Sequence, residues 1–323
     1  MRRITVGIDA SRNRSGGAKA YLMGILSEVN PLDYGIKEVH IWAPDSLLNK
    51  LENYRWLIKH SSKELQQSII KQIWWQATKL SHEAKSIGCD IMFTTDASTF
   101  CRFKPMIVLS QDMLSYEAGA MRRYGYTKQR IRLLAILFIQ NYAFRFSDGV
   151  IFLTQYASKV IQKSTGLLTR IKCIPHGVGL NFRSLQFNHT WPNDSIEPIR
   201  CVYISNTEMY KHQWVVVQAL SILRSYGHNI TLQLIGGGEG SQIGPAHRLS
   251  AGLDGLFEFK AGALDHRPSI GIKYGKSLGL EIPYLRPQNL AQDDSKSIDS
   301  VKHLIRNCSL SGAICLLQPT TPL

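Results

Sequence analysis

A chain of 323 residues with 44% hydrophobic and 19% charged side chains, 25 Gly and 12 Pro has globular composition, which excludes collagen-like, low-complexity and coiled-coil proteins. At about 100–200 residues per domain, the length predicts two domains. The net charge of +14 is uneven: residues 1–199 carry 26 basic and 15 acidic side chains, residues 200–323 carry 12 and 9, and Thr99–Lys172 alone holds 12 against 3, so an anionic partner is expected on the first domain.

In chain order, β-rich runs alternate with helical patterns, which points to parallel sheets covered by helices. Strands are predicted over Arg3–Ile8, Glu38–Trp42, Asp90–Phe93, Met106–Leu109, Gly149–Leu153 and Arg170–Ile174. Ala18, Tyr21, Leu22, Ile25 and Val29 form one helical face after the first strand. One long helix is predicted around Lys63–Ile87 and another around Thr127–Phe146. The polar, turn-rich stretch Gly179–Pro198 reads as a connection between domains. A second alternating unit follows, with a strand at Ile199–Ile204, a helix at Lys211–Tyr226, a strand at Ile230–Ile235 and a short strand at Leu256–Phe259. From Pro268 to Leu323 clean periods are few, so the second domain is expected to be partial, over 199–267, with an aberrant or poorly ordered tail.

The longest apolar run, Leu133–Ile139, is far shorter than the roughly 20 residues of a spanning helix, and the opening residues carry no signal-peptide core. The six Cys have no C-x-x-C or His/Cys zinc spacing. The expectation is a reduced, cytoplasmic chain with no metal site.

Five places carry candidate chemistry. Ser15-Gly16-Gly17 follows the first strand and precedes a helix, where backbone N–H groups can face an anion; a tight β–α turn is the other reading. Gly236–Gly240, with Gly237, Gly238 and Glu239, follows the strand Ile230–Ile235, where open α/β sheets bind ligands. Lys211, in Tyr203–His212 with Ser205 and Asn206, can aim its ammonium at a diphosphate or stand solvated. His176 and Gly177, in Cys173–Val178, suit a polarising imidazole or a structural turn. Gln111, Asp112 and Glu117 follow the strand Met106–Leu109; the two carboxylates suit acid/base work or hydrogen bonds to a sugar, and Asp112 equally suits helix capping.

The order of these pieces resembles glycosyltransferase family 4, of the two-domain GT-B type with facing Rossmann-like domains, and within it a bacterial polysaccharide and lipopolysaccharide subgroup. The residues that carry the likeness are Gly16-Gly17, Phe100–Pro105, Val108–Met113 with Glu117, Phe146–Thr154, Ile174–Val178 and, above all, Tyr203–Gln213. The resemblance implies an α/β fold of two doubly wound Rossmann-like domains, the second incomplete. It implies transfer of a sugar from a nucleotide-sugar co-substrate to a polysaccharide or lipid-linked glycan precursor, with retained configuration and no cofactor or metal. Lys211 would neutralise the departing diphosphate beside Ser205, Asn206, Gly237, Gly238 and Glu239, with Gly16 and Gly17 facing the donor. Gln111, Asp112 and Glu117 would be catalytic, and His176 and Gly177 would form the domain-crossing turn.

The chain departs from the family in two respects. Asn206 stands where the family often has Arg, and no two glutamates eight apart follow Gly240, where only Glu258 and Glu281 occur. A truncation or frameshift explains the second departure, so a non-catalytic remnant is the alternative to an active transferase. The basic first domain suits peripheral docking on an anionic membrane surface, or a solvated basic face. With no recognition helix or Lys/Arg run, nucleic acid is not an expected partner.

Overall fold

The computed structural model describes residues 3–13, 16–177, 199–204, 211–236, 257–261 and 314–317, and the chain divides into two units, Met1–Arg183 and Ser184–Leu323. The boundary lies inside the polar connection.

The first unit runs β1 (Ile4–Asp9), α1 (Gly16–Glu28), β2 (Ile36–Trp42), α2 (Asp45–Leu48), β3 (Leu57–His60), α3 (Ile69–Thr78), α4 (Leu80–Ile87), β4 (Ile91–Thr94), β5 (Met106–Ser110), α5 (Ala120–Arg123), α6 (Lys128–Phe146), β6 (Gly149–Phe152), α7 (Gln155–Thr165) and β7 (Ile171–Cys173). Its seven strands are parallel in the order β3-β2-β1-β4-β5-β6-β7. Parallel strands need helical crossovers, and those helices cover both faces of the sheet. Two buried clusters result. One gathers Trp42, Trp75, Met92, Met106, Phe144 and Phe152, and the other Ile8, Leu22, Leu26, Val39, Ile41 and Leu57. The neighbours Ile41 and Trp42 enter different clusters, as the two-residue period of a strand requires. Full burial of each such side chain contributes roughly 1.5–3 kcal/mol.

Three expectations are corrected here. The helix expected over Lys63–Ile87 is a 3-10 turn at Lys63–Gln66 followed by α3 and α4. Gln67 is extended, and the Gln72 amide donates to the carbonyls of Leu65 and Gln67, which anchors the break. On α1 the buried stripe is Leu22 and Leu26, while Ile25 and Val29 face solvent. Beyond the expected elements of the first unit stand α2, α5 and β3, together with α7. The latter starts on Thr154, whose hydroxyl accepts from the Ala157 N–H at 3.0 Å.

The second unit holds β8 (Ile199–Ile204), α8 (Gln213–Ser225), β9 (Ile230–Gly236), β10 (Phe257–Ala261) and β11 (Ile314–Leu317), with four parallel strands ordered β10-β9-β8-β11. In the alternation of β8, α8 and β9, Cys201, Val202, Tyr203, Val217, Leu220, Ile230 and Leu232 are buried. Within the expected tail, Ile314–Leu317 pairs in register with Arg200–Tyr203 of β8.

Candidate functional site

In the first unit the chain runs outward from β1 to β2 and β3, then returns to place β4 on β1's other side. The strand order therefore reverses between β1 and β4. The loops at the carboxyl ends of these strands border the crevice where open α/β sheets take ligands.

Those loops form a buried polar network. Asp9 ends β1 almost wholly buried. Its Oδ1 accepts from the Ser11 N–H at 3.2 Å and the Ser11 hydroxyl at 2.6 Å. Its Oδ2 accepts from the Gln76 amide at 2.6 Å and the Thr99 hydroxyl at 3.1 Å. Gln76 also accepts from the Phe100 N–H at 3.0 Å, which ties α3 to the loop after β4. Thr95 donates to the Asn13 amide oxygen at 2.7 Å, and the Asn13 amide nitrogen donates to the Ala18 carbonyl of α1 at 3.4 Å. Burial raises the Asp9 carboxyl above its ordinary range, and the four donors oppose that rise. The network fixes the path from β1 into α1.

Gly16 and Gly17 are the first residues of α1. A Cβ on Gly17 would meet nothing within 4 Å, so packing does not require glycine there. His176 approaches the same helix: its ring meets Tyr21 edge-on, centroids 4.8 Å apart. Partial burial lowers the His176 pKa and raises that of Tyr21. The structure thus brings His176 against the helix that starts at Gly16 and Gly17, a link that the sequence separation of 155 between Tyr21 and His176 hides.

At the end of β5, Gln111 has a buried amide nitrogen with no hydrogen-bond partner. Asp112 accepts from the Leu114 N–H at 2.9 Å, a turn-capping bond. Its carboxyl keeps a solvent-facing surface, yet nearby protein desolvates it enough to raise its pKa. The carboxylate of Asp96, from the loop after β4, adds to the rise, and Arg132 of α6 opposes it. Burial, with the Asp112 carboxylate adding to it, pushes the neighbouring Tyr116 phenol well above its ordinary range, and its hydroxyl donates to Asn141 at 2.9 Å. Glu117 turns elsewhere, to Arg123 at 4.0 Å. Asp96 and Arg132 escaped sequence reasoning, since nothing local to either marks it as a neighbour of Asp112.

In the second unit, Lys211 sits between the carboxyl end of β8 and the start of α8. The Tyr203 hydroxyl donates to the Lys211 carbonyl at 2.6 Å. The helix expected from Lys211 begins at Gln213, because His212 adopts φ +50°. A left-handed non-glycine residue costs on the order of 1–2 kcal/mol, and such strain clusters at ligand sites. Ser205, Asn206, Gly237, Gly238 and Glu239 lie outside the described residues; β9 ends at Gly236, immediately before the latter three. Among the described residues no group of three or more His, Cys, Asp or Glu stands together as a metal site.

No protein-family model matches this sequence, and no curated protein matches it. Solved structures do. The chain is similar to the apo form of the lipopolysaccharide outer core galactosyltransferase WaaB, with 12% identity over 88% of this chain and 73% of that one, at a TM-score of 0.50. It is also similar to a sucrose-phosphate synthase from Thermosynechococcus elongatus, with 11% identity over 95% and 91% of the two chains, at a TM-score of 0.51. The fold is of the GT-B type, an α/β architecture with Rossmann-like parallel sheets.

Proposed function

We propose that this protein is a glycosyltransferase of the family 4 kind, moving a sugar from a nucleotide-sugar donor to a polysaccharide or lipid-linked glycan precursor with retained configuration. The observation that carries the reading is the unpartnered Gln111 amide beside the desolvated, solvent-reachable Asp112 carboxyl, at the carboxyl end of a sheet whose order reverses at β1 and β4. The names of the two similar structures, a galactosyltransferase and a sucrose-phosphate synthase, support sugar chemistry.

In this reading the bond between the anomeric carbon and the diphosphate oxygen breaks, and its electron pair leaves with the nucleoside diphosphate. An acceptor hydroxyl forms the new bond to that carbon on the same face that the diphosphate leaves, which retains the configuration. Asp112 takes its proton, a role suited to a carboxyl whose pKa burial has raised. Gln111 donates a hydrogen bond to the sugar. The Lys211 ammonium stabilises the charge that builds on the departing diphosphate, beside Ser205, Asn206, Gly237, Gly238 and Glu239. Gly16 and Gly17 let backbone N–H groups approach the donor, and His176 and Gly177 form the domain-crossing turn. No cofactor or metal enters the step. Glu117 stands with Gln111 and Asp112 among the catalytic residues of this reading, held by Arg123 at 4.0 Å.

Calorimetry against a panel of nucleotide sugars, followed by a nucleotide-release assay, tests this reading. One donor should bind, Lys211→Ala should weaken it about tenfold, and Asp112→Asn should lower turnover about 100-fold or more with donor affinity kept. A second reading, a non-catalytic GT-B remnant, is favoured by the missing glutamate pair after Gly240. Absence of heat with every donor would leave that reading standing.

A further inference from the structure

Helix α6 is apolar on both sides. Leu133, Ala143 and Phe144 face the core, with Gln140 beside them. On the opposite side Ile131, Leu134, Phe138 and Tyr142 are exposed, Ile131 and Phe138 at 69% each. Residues 131, 138 and 142 lie within a narrow arc of the helix, and they span about 16 Å of its length. Scattered surface hydrophobics need no explanation, but a contiguous aromatic and aliphatic line does.

The charges around this line are mostly cationic, with Arg123 paired to Glu117 at 4.0 Å and Lys104 to Asp148 at 3.3 Å at its edges. From Ala118 to Ser147 the chain has six Arg or Lys and no Asp or Glu: Arg122, Arg123, Lys128, Arg130, Arg132 and Arg145. Arg130 lies over the ring of the fully exposed Tyr126 at 5.2 Å. At the far end Tyr142 stacks on Phe146 at 5.6 Å, and Lys104 lies over Phe146 at 4.2 Å. Among the described residues no helix is long and apolar enough to cross a membrane.

We propose that the exposed face of α6 docks this protein on an anionic lipid bilayer, with Ile131, Leu134, Phe138 and Tyr142 entering the interface and the flanking cations meeting the headgroups. An amphipathic surface of this kind, apolar along its centre and cationic at its edges, binds in the plane of the interface. A second copy of the chain fits less well, because a two-fold contact through this face would set one cationic rim against another. Nucleic acid fits less well too, since its phosphates would meet Phe138 and Ile131 at the centre of the face. Arg132, on the flank of α6, is close enough to Asp112 to act on its carboxyl, so docking would hold the loop after β5 near the lipid. That last consequence rests on the glycosyltransferase reading; the docking does not.

Sedimentation with vesicles decides the matter. Phosphatidylcholine vesicles containing a third phosphatidylglycerol should carry down roughly tenfold more protein than pure phosphatidylcholine vesicles. Ile131→Ser with Phe138→Ser should remove roughly tenfold of that binding, with an unchanged thermal melt because both positions are exposed. Lys128→Gln with Arg130→Gln should weaken binding to anionic vesicles alone. Equal binding of the native protein to both vesicles, or undiminished binding of the serine variant, would overturn the proposal. So would light scattering that shows a native dimer made monomeric by the serine substitutions. Donor calorimetry on the same samples separates the two readings: a protein that docks but releases no heat with any nucleotide sugar loses the transferase reading and keeps this one.

Discussion

The Gln76 amide donates to the Asp9 carboxylate at 2.6 Å while its own carbonyl oxygen accepts from the Phe100 N–H, so neither end of Gln76 can reverse without loss. This fixes the outcome of Asp9→Asn. An asparagine can satisfy the Ser11 N–H with its oxygen, but its amide nitrogen then faces the Gln76 amide nitrogen. Turning Gln76 over would strand the Phe100 N–H. One buried donor is left unmatched either way, at a cost of about 1–3 kcal/mol. Urea unfolding should show that loss, and adding Gln76→Glu to Asp9→Asn should recover much of it by moving the carboxylate one partner along. A double variant no more stable than the single one would refute this account of the network.

Glu83 of α4 supports the core in a related way. Its two oxygens accept from the indole N–H groups of Trp42 at 3.0 Å and Trp75 at 3.1 Å, and both tryptophans are fully buried. Glu83→Leu would strand two indole donors, and a loss of about 2–5 kcal/mol is expected in chemical unfolding. Glu83→Gln keeps one acceptor oxygen and should lose about half as much. Equal losses in the two variants would show that charge, rather than acceptor number, matters at this position.

Much of this architecture was readable because its strands announce themselves. Ile4-Thr-Val and Ile199–Ile204 are runs of β-formers followed by turn residues, and the parallel order follows from the helices between them. The site was readable only in part. Gln111 and Asp112 stand out as polar residues directly after the apolar strand β5. The partners that give them meaning do not: Asp96 and Arg132 are 16 and 20 residues from Asp112, and Gln76 and Thr99 are 67 and 90 from Asp9. The break before Ile69 lacks Gly or Pro and depends on how the Gln72 side chain folds back. Strand β3 is four residues long with a single buried residue, too little for a two-residue period to show.

A pair of histidines sets an acid limit to stability. His40 Nδ1 and His60 Nε2 lie 2.8 Å apart, so one donates and the other accepts. The His60 ring also stacks on Trp42 at 4.7 Å. Burial lowers both pKa values; His40 adds to the fall at His60, while Glu38 raises His40 and Glu83 raises His60 against it. A depressed folded pKa means that stability is present above the unfolded value near 6.5 and is lost as pH falls through it. The raised carboxyls of Asp9 and Asp112 work in the opposite sense at more acid pH, since protonation relieves their burial. The melting temperature should therefore drop between pH 7.5 and 6, and His60→Gln should flatten that drop. A native protein with the same melting temperature across this range would remove the histidine pair from the explanation.

The buried thiols report on the same core. Burial pushes Cys101 up to about 12 and Cys89 to about 11; Asp9 adds to the first, and Asp90 and Glu38 to the second. Both thiols are therefore held in the protonated form near neutral pH, and the thiolate is the form that attacks alkylating reagents. Cys173 is a free thiol at an intermediate depth. A short pulse of iodoacetamide on the native protein, read by peptide mass spectrometry, should label Cys173 well before Cys89 or Cys101. The Asp9→Asn variant sharpens the test. It removes a negative charge that disfavours the Cys101 thiolate, and it loosens the loop that the Thr99 hydroxyl anchors through the Cys101 N–H at 3.1 Å. Cys101 should then label faster while Cys89, on the far side of β4 in sequence, keeps its native rate. Uniform acceleration of both thiols would instead show that the Asp9 network holds up the whole unit and acts well beyond the loops at its crevice.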